Sequence, residues 1–118
     1  MDKNTQIIQL CEAFIYRGAA TAREHILKVL NYYHKRDFTT MIVYDTGEEK
    51  GKSFDENWAK YYDNITKIKY PADFEFEKIE DITDDFNAKL SAIKIAKTIH
   101  KSGTVIYHIF ININYKTT

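Results

Sequence analysis

Hydrophobic and polar positions alternate along this chain with two different periods. Ile7, Ile8, Cys11, Phe14 and Ile15 recur at intervals of three and four, which predicts an amphipathic helix over 5–17 with Gly18 as its stop. Thr21-Ala-Arg-Glu24 has the form of a capping box, and Ile26, Leu27, Leu30 and Tyr33 give the stripe of a second helix to about 33 or 34. Residues 38–44, FTTMIVY, are dense in β-branched and aromatic side chains and predict a strand that ends at Asp45-Thr-Gly47. A second capping box, Ser53-Phe-Asp-Glu56, opens a third helix with Trp58, Tyr61, Tyr62 and Ile65 on one face, and Pro71 falls beyond its end. From Ala72 onward the period drops to two. A strand is predicted over 74–82, Asp84-Asp85-Phe86-Asn87 supplies turn residues, and a long hairpin follows.

The register of that hairpin follows from its parity. With Lys101-Ser102-Gly103 as the loop, Ile99 faces Val105, Lys97 faces Tyr107, Ile95 faces Ile109 and Ile93 faces Ile111, so one face is almost wholly apolar. Gly103 stands where such a loop needs a left-handed residue. The other face mixes Ala92, Lys94, Ala96 and Thr98 with Ile106, His108, Phe110 and Asn112. The apolar face is expected to meet the helices, which turns Tyr107 inward and His108 away. The order helix, helix, strand, helix, then antiparallel strands predicts an α+β domain with N-terminal helices packed on a curved antiparallel sheet.

Size and charge narrow the function. A chain of 118 residues, 44% hydrophobic and 29% charged, reads as one folded domain over 1–118. Seventeen basic residues balance seventeen acidic ones, so no field draws the chain to nucleic acid or to anionic lipid, and neither is expected as a partner. No apolar run approaches the ~20 residues that span a bilayer, and no secretory leader is evident; a cytoplasmic location is expected. Cys11, the single cysteine, reads as a small buried hydrophobe. Four scattered histidines show no metal-ligand spacing, and no phosphate loop or serine elbow is present, so no metal or cofactor is expected. Nine tyrosines suit half-buried places such as pocket walls and subunit interfaces.

Three stretches, TMIVYDTGEEKGKS, FDENWAKYYDNI and NAKLSAIKIAKTIHKSGTVIYHIFININ, resemble in order and spacing the nuclear-transport-factor-2-like superfamily, with its ketosteroid isomerases, scytalone dehydratases and SnoaL-like polyketide cyclases. The resemblance implies a cone-shaped domain closed by the third helix, and a small apolar, ring-containing ligand within it. It also places Asp45 where ketosteroid isomerases carry their general base, so any enzyme activity would be that of an isomerase, cyclase or dehydratase. The bland reading of Asp45 is a solvated turn residue before Gly47.

The candidate residues are therefore Asp45 as base and His108 as a second acid or base near neutral pH, with Trp58, Tyr62 and Tyr107 as ligand-binding walls. The alternative is a non-enzymatic interaction module, in which the mixed sheet face with Ile106 and Phe110 pairs with a partner. A homodimer is expected, and an exposed sheet edge would offer another chain a place to pair.

Overall fold

The computed structural model describes residues 9–31, 38–47, 53–86 and 92–113. Its main elements are β1 (Gln9–Ile15), α1 (Ala19–Asn31), β2 (Phe38–Asp45), α2 (Phe54–Thr66), β3 (Phe76–Asp81), β4 (Ile93–His100) and β5 (Val105–Asn112). The strands form one five-stranded sheet in the order β1-β2-β5-β4-β3. β1, β2 and β5 run parallel, whereas β5, β4 and β3 are antiparallel, so the sheet is mixed rather than antiparallel. Parallel neighbours need a crossover, and α1 supplies the one between β1 and β2. Both helices pack on the same face and touch each other. Ala22, Ile26, Val29 and Leu30 of α1 meet Trp58, Tyr61 and Ile65 of α2 in one core with Phe14, Met41, Val43, Ala96, Ile106 and Phe110 from the sheet.

The N-terminal region differs from the sequence expectation. Residues 9–15, expected as helix, form the edge strand β1, paired in register from Gln9↔Phe38 to Ile15↔Tyr44. The spacing of three and four also contains an alternation, in which Phe14 and Tyr16 are buried while Cys11 and Ala13 are exposed. Pairing with β2 selects that period over the helical one. Cys11 is thus exposed rather than buried. Gly18 begins a helix instead of ending one: at φ 114° its carbonyl accepts the Ala22 N–H at 3.2 Å, and α1 opens before Thr21. Positions 5–8 and 32–34 of the expected helices lie outside the described residues.

Further along, local signals hold. Ser53 caps α2 as expected: the Glu56 N–H donates to Ser53 Oγ at 3.0 Å, and the Ser53 N–H donates to Glu56 Oε1 at 2.8 Å. β3 lies within the expected strand, a short helical turn at Thr83–Phe86 takes up most of the expected Asp84–Asn87 turn, and Asn87 lies outside the described residues. The hairpin has the expected register, with Gly103 at φ 78°.

Its two faces are reversed. The helices cover the mixed face, where Ala96, Thr98, His100, Ile106, His108 and Phe110 are all 0% exposed. Neither helix packs on the apolar face, where Ile42, Ile93, Ile109 and Ile111 are half-buried and Ile95 is buried. The reason is volume. Tyr61 lies over Phe110 at a ring separation of 5.3 Å, and small residues on β4, Ala96 and Thr98, make room beneath the helix. A ladder of isoleucines would overfill that space.

Candidate functional site

Beneath α2 the covered face carries a chain of polar side chains. Tyr61 Oη lies 2.7 Å from His108 Nδ1, and His108 Nε2 lies 3.0 Å from Thr98 Oγ1. Thr98 Oγ1 lies 3.0 Å from His100 Nε2, and His100 Nδ1 lies 2.9 Å from the Phe74 carbonyl. The carbonyl sets the direction of the chain when both histidines are neutral. It only accepts, so a neutral His100 donates Nδ1–H to it and accepts at Nε2 from the Thr98 hydroxyl, which lies closer to that nitrogen than to its other acceptor, the Ile106 carbonyl at 3.4 Å. Thr98 then accepts from His108 Nε2–H, which leaves His108 Nδ1 to accept the Tyr61 proton. In this arrangement all four side chains are neutral.

Burial enforces that neutrality. It pushes the His108 imidazole down to about 3, helped by repulsion from His100. His100 is also lowered, chiefly by burial, against the Phe74 carbonyl and Glu77, which raise it. Burial raises the Tyr61 hydroxyl well above its usual range, with smaller contributions from Tyr70 and Tyr16. The chain ties α2, β5, β4 and the short turn at Ala72–Phe74 together. His108 was legible as a candidate in the sequence, but Tyr61, Thr98 and His100 were not read as its partners. The signal was parity, since residues 98, 100 and 108 share the even face of the hairpin.

Asp45 closes a second buried site, at the carboxyl end of β2. It is 4% exposed. Its Oδ1 accepts the Gly47 N–H at 3.1 Å, and Asn57 Nδ2 spans Oδ1 and Oδ2 at 3.3 and 3.2 Å. Its carbonyl accepts the Ile113 N–H at 3.0 Å. Asp45 thus joins β2, α2 and the end of β5, and its carboxylate is turned to Asn57. Asn57, which the sequence reading passed over, is 2% exposed, and its Oδ1 has no partner.

Trp58 and Tyr62 sit edge to face at 5.6 Å on α2. Tyr107 projects from the opposite side of the sheet, beside Lys97 and Thr40. The sheet therefore separates Tyr107 from the other aromatic candidates. Neither Asp45 nor His108 lines the groove beside Phe14, Arg17, His25 and Tyr44 or the one beside Ala20, Arg23, Asn64 and Ile68.

The uncovered face is ordered in rows across the strands. Ile15, Tyr44, Ile111 and Ile93 form one row, and Ala13, Ile42, Ile109 and Ile95 the next. Tyr107 and Lys97 then lead to Glu80 on β3. The β3 side is charged: Glu80 Oε2 accepts from Lys78 Nζ at 2.8 Å, and Lys97 Nζ lies 3.8 Å from Glu80 Oε1. Among the described residues no helix is long and apolar enough to cross a membrane, and no group of three His, Cys, Asp or Glu side chains could hold a metal. No protein-family model, curated protein or solved structure matches the chain.

Proposed function

We propose that this domain is a self-association module whose apolar sheet face, opposite the helices, binds a second copy of the chain. The observation that carries this reading is the ladder of Ile42, Ile93, Ile95, Ile109 and Ile111, with Tyr44 and Tyr107, on the sheet face opposite the two helices. A contiguous apolar sheet surface, even half-buried, is a common mark of an interaction site. Five strands about seven residues deep span roughly 24 by 23 Å. Two such faces with their side-chain relief bury on the order of 1,200 Å², the lower bound for a stable interface.

A second copy suits the face better than an unlike partner. A regular ladder of branched side chains interdigitates with itself when two sheets pack aligned about a two-fold axis. Copies carrying seventeen charges of each sign have no net repulsion to overcome. Glu80 and Lys97 at the rim supply both signs for cross-pairing.

The reading has less use for an apolar ligand held by Trp58, Tyr62 and Tyr107, since the sheet divides them. Asp45 as base is likewise weakened by its contacts with Asn57 and Gly47. Sedimentation velocity across the micromolar range tests the dimer. Wild type should shift from monomer to dimer with concentration, and Ile109→Asp should stay monomeric with unchanged circular dichroism. Should that variant unfold, Tyr107→Glu, nearer the rim, takes its place. A wild type that remains monomeric at the highest concentration, or a folded variant that still dimerises, overturns the proposal.

A further inference from the structure

We propose that residues 70–76 form a flap over His100 that opens in acid. The proposal does not rest on the dimer face. The segment follows α2, makes the short turn at Ala72–Phe74 and enters β3. Three of its residues close on one side chain. Tyr70 meets the His100 ring edge to face at 4.6 Å, Phe76 does so at 5.9 Å, and the Phe74 carbonyl lies 2.9 Å from His100 Nδ1. Under this cover His100 is 0% exposed, although it stands at the last position of β4.

The flap itself is lightly held. Pro71, Ala72, Asp73 and Glu75 are exposed, and the Phe74 N–H turns back within the segment to the Pro71 carbonyl at 2.8 Å. Fastening comes from near its ends, where Tyr70 O–H donates to the Ile65 carbonyl at 2.6 Å and the Lys101 N–H donates to the Glu75 carbonyl at 2.8 Å. Just beyond, the pairing of β3 with β4 is irregular between Phe76 and Lys78. A segment with this much exposed backbone and a broken ladder opens at a lower free energy than the core.

Acid favours opening because the closed flap has no place for a second proton on His100. Nδ1–H is held by the Phe74 carbonyl, and Nε2 accepts from the Thr98 hydroxyl at 3.0 Å. A proton on Nε2 turns that hydroxyl to the Ile106 carbonyl, a longer bond of 3.4 Å, and leaves an imidazolium away from water. With the flap open, water receives both N–H groups. The open form therefore binds the proton more tightly, and falling pH shifts the population toward it. Burial lowers the closed His100 accordingly, against the Phe74 carbonyl and Glu77, which raise it. Glu77 of β3 is thus a charged neighbour that favours the proton, whereas Tyr70 on the flap, Tyr61 on α2 and His108 on β5 are neutral. His108, held down to about 3, stays neutral at pH 5. Opening presents the rings of Tyr70, Phe74 and Phe76 to solvent.

The test is hydrogen exchange of the full chain at pH 7 and pH 5, read by mass spectrometry and rescaled for the intrinsic exchange rate. Protection across 70–78 should fall several-fold at pH 5 while β2 and β5 keep theirs. His100→Gln retains a donor for the Phe74 carbonyl and an acceptor for Thr98 but does not titrate, so its flap should be equally protected at both pH values. Equal protection of the wild-type flap at the two pH values overturns the proposal, as does an undiminished loss in folded His100→Gln. A loss shared by β2 and β5 is global unfolding and overturns it as well. Should His100→Gln fail to fold, NMR of labelled histidine in the wild type decides. His100 should carry its proton on Nδ1 at pH 7 and titrate below ~6.5; a proton on Nε2, or titration at or above ~6.5, overturns the proposal.

Discussion

Tyr61 shows how one buried hydroxyl can decide a local arrangement. Its proton is the only one that reaches His108 Nδ1 in the chain ending at the Phe74 carbonyl. Tyr61→Phe leaves that nitrogen buried and unpaired, which costs about 1–3 kcal/mol. Thermal denaturation should show a drop in Tm of several degrees, and an unchanged Tm would show that the hydroxyl contributes nothing. The histidines add a pH dependence. Both have a folded pKa below the ~6.5 of an unfolded histidine, so the unfolded chain binds more protons as the pH falls. Their contribution is complete above pH ~6.5 and declines as the pH falls toward the folded value of about 3 for His108. Urea denaturation should therefore give a lower stability at pH 5 than at pH 7, and His108→Gln should flatten part of that slope. Equal stability at the two pH values would contradict the neutral assignment.

At the scale of elements, β1 and α1 meet at a single demanding residue. Gly18 has φ 114°, a region that L side chains rarely adopt, although a Cβ there would meet nothing within 4 Å. Gly18→Ala should therefore destabilise through backbone strain alone, by about 1–3 kcal/mol, with no steric clash. Chemical denaturation measures this, and a neutral result would mean that the turn relaxes freely. α2 needs no such help from its surroundings, because Ser53 and Glu56 satisfy each other's backbone donors locally.

For the whole molecule, the two faces of the sheet divide the work. One is filled by helices and by a neutral polar chain that fixes α2 over β4 and β5, while the other presents an apolar ladder. If that ladder joins two copies, Tm should rise with protein concentration, because only the folded chain dimerises. A Tm independent of concentration, together with a monomer in sedimentation, removes the basis for the dimer. The contrast between β1, which has no lysine, proline or bulge, and the charged, irregular β3 edge is also a property of the whole sheet. It cannot be recognised until the strand order is known.

The sequence by itself determined what depends on near neighbours in the chain. The capping box at Ser53, the strand at 38–44, the turn glycine at 103 and the hairpin register all follow from contacts within a few residues or from strict two-residue parity. Asp45 was correctly placed at the end of its strand for the same reason. Tertiary structure decided the rest. It made 9–15 a strand, because pairing with β2 outweighs a local helical spacing. It chose which hairpin face to bury, because the volume under Tyr61 and Trp58 favours Ala96 and Thr98 over isoleucine. It also brought Asn57 to Asp45 and Tyr61 to His108, across 12 and 47 residues of chain. Parity shows which side chains share a face, but only packing shows what covers that face.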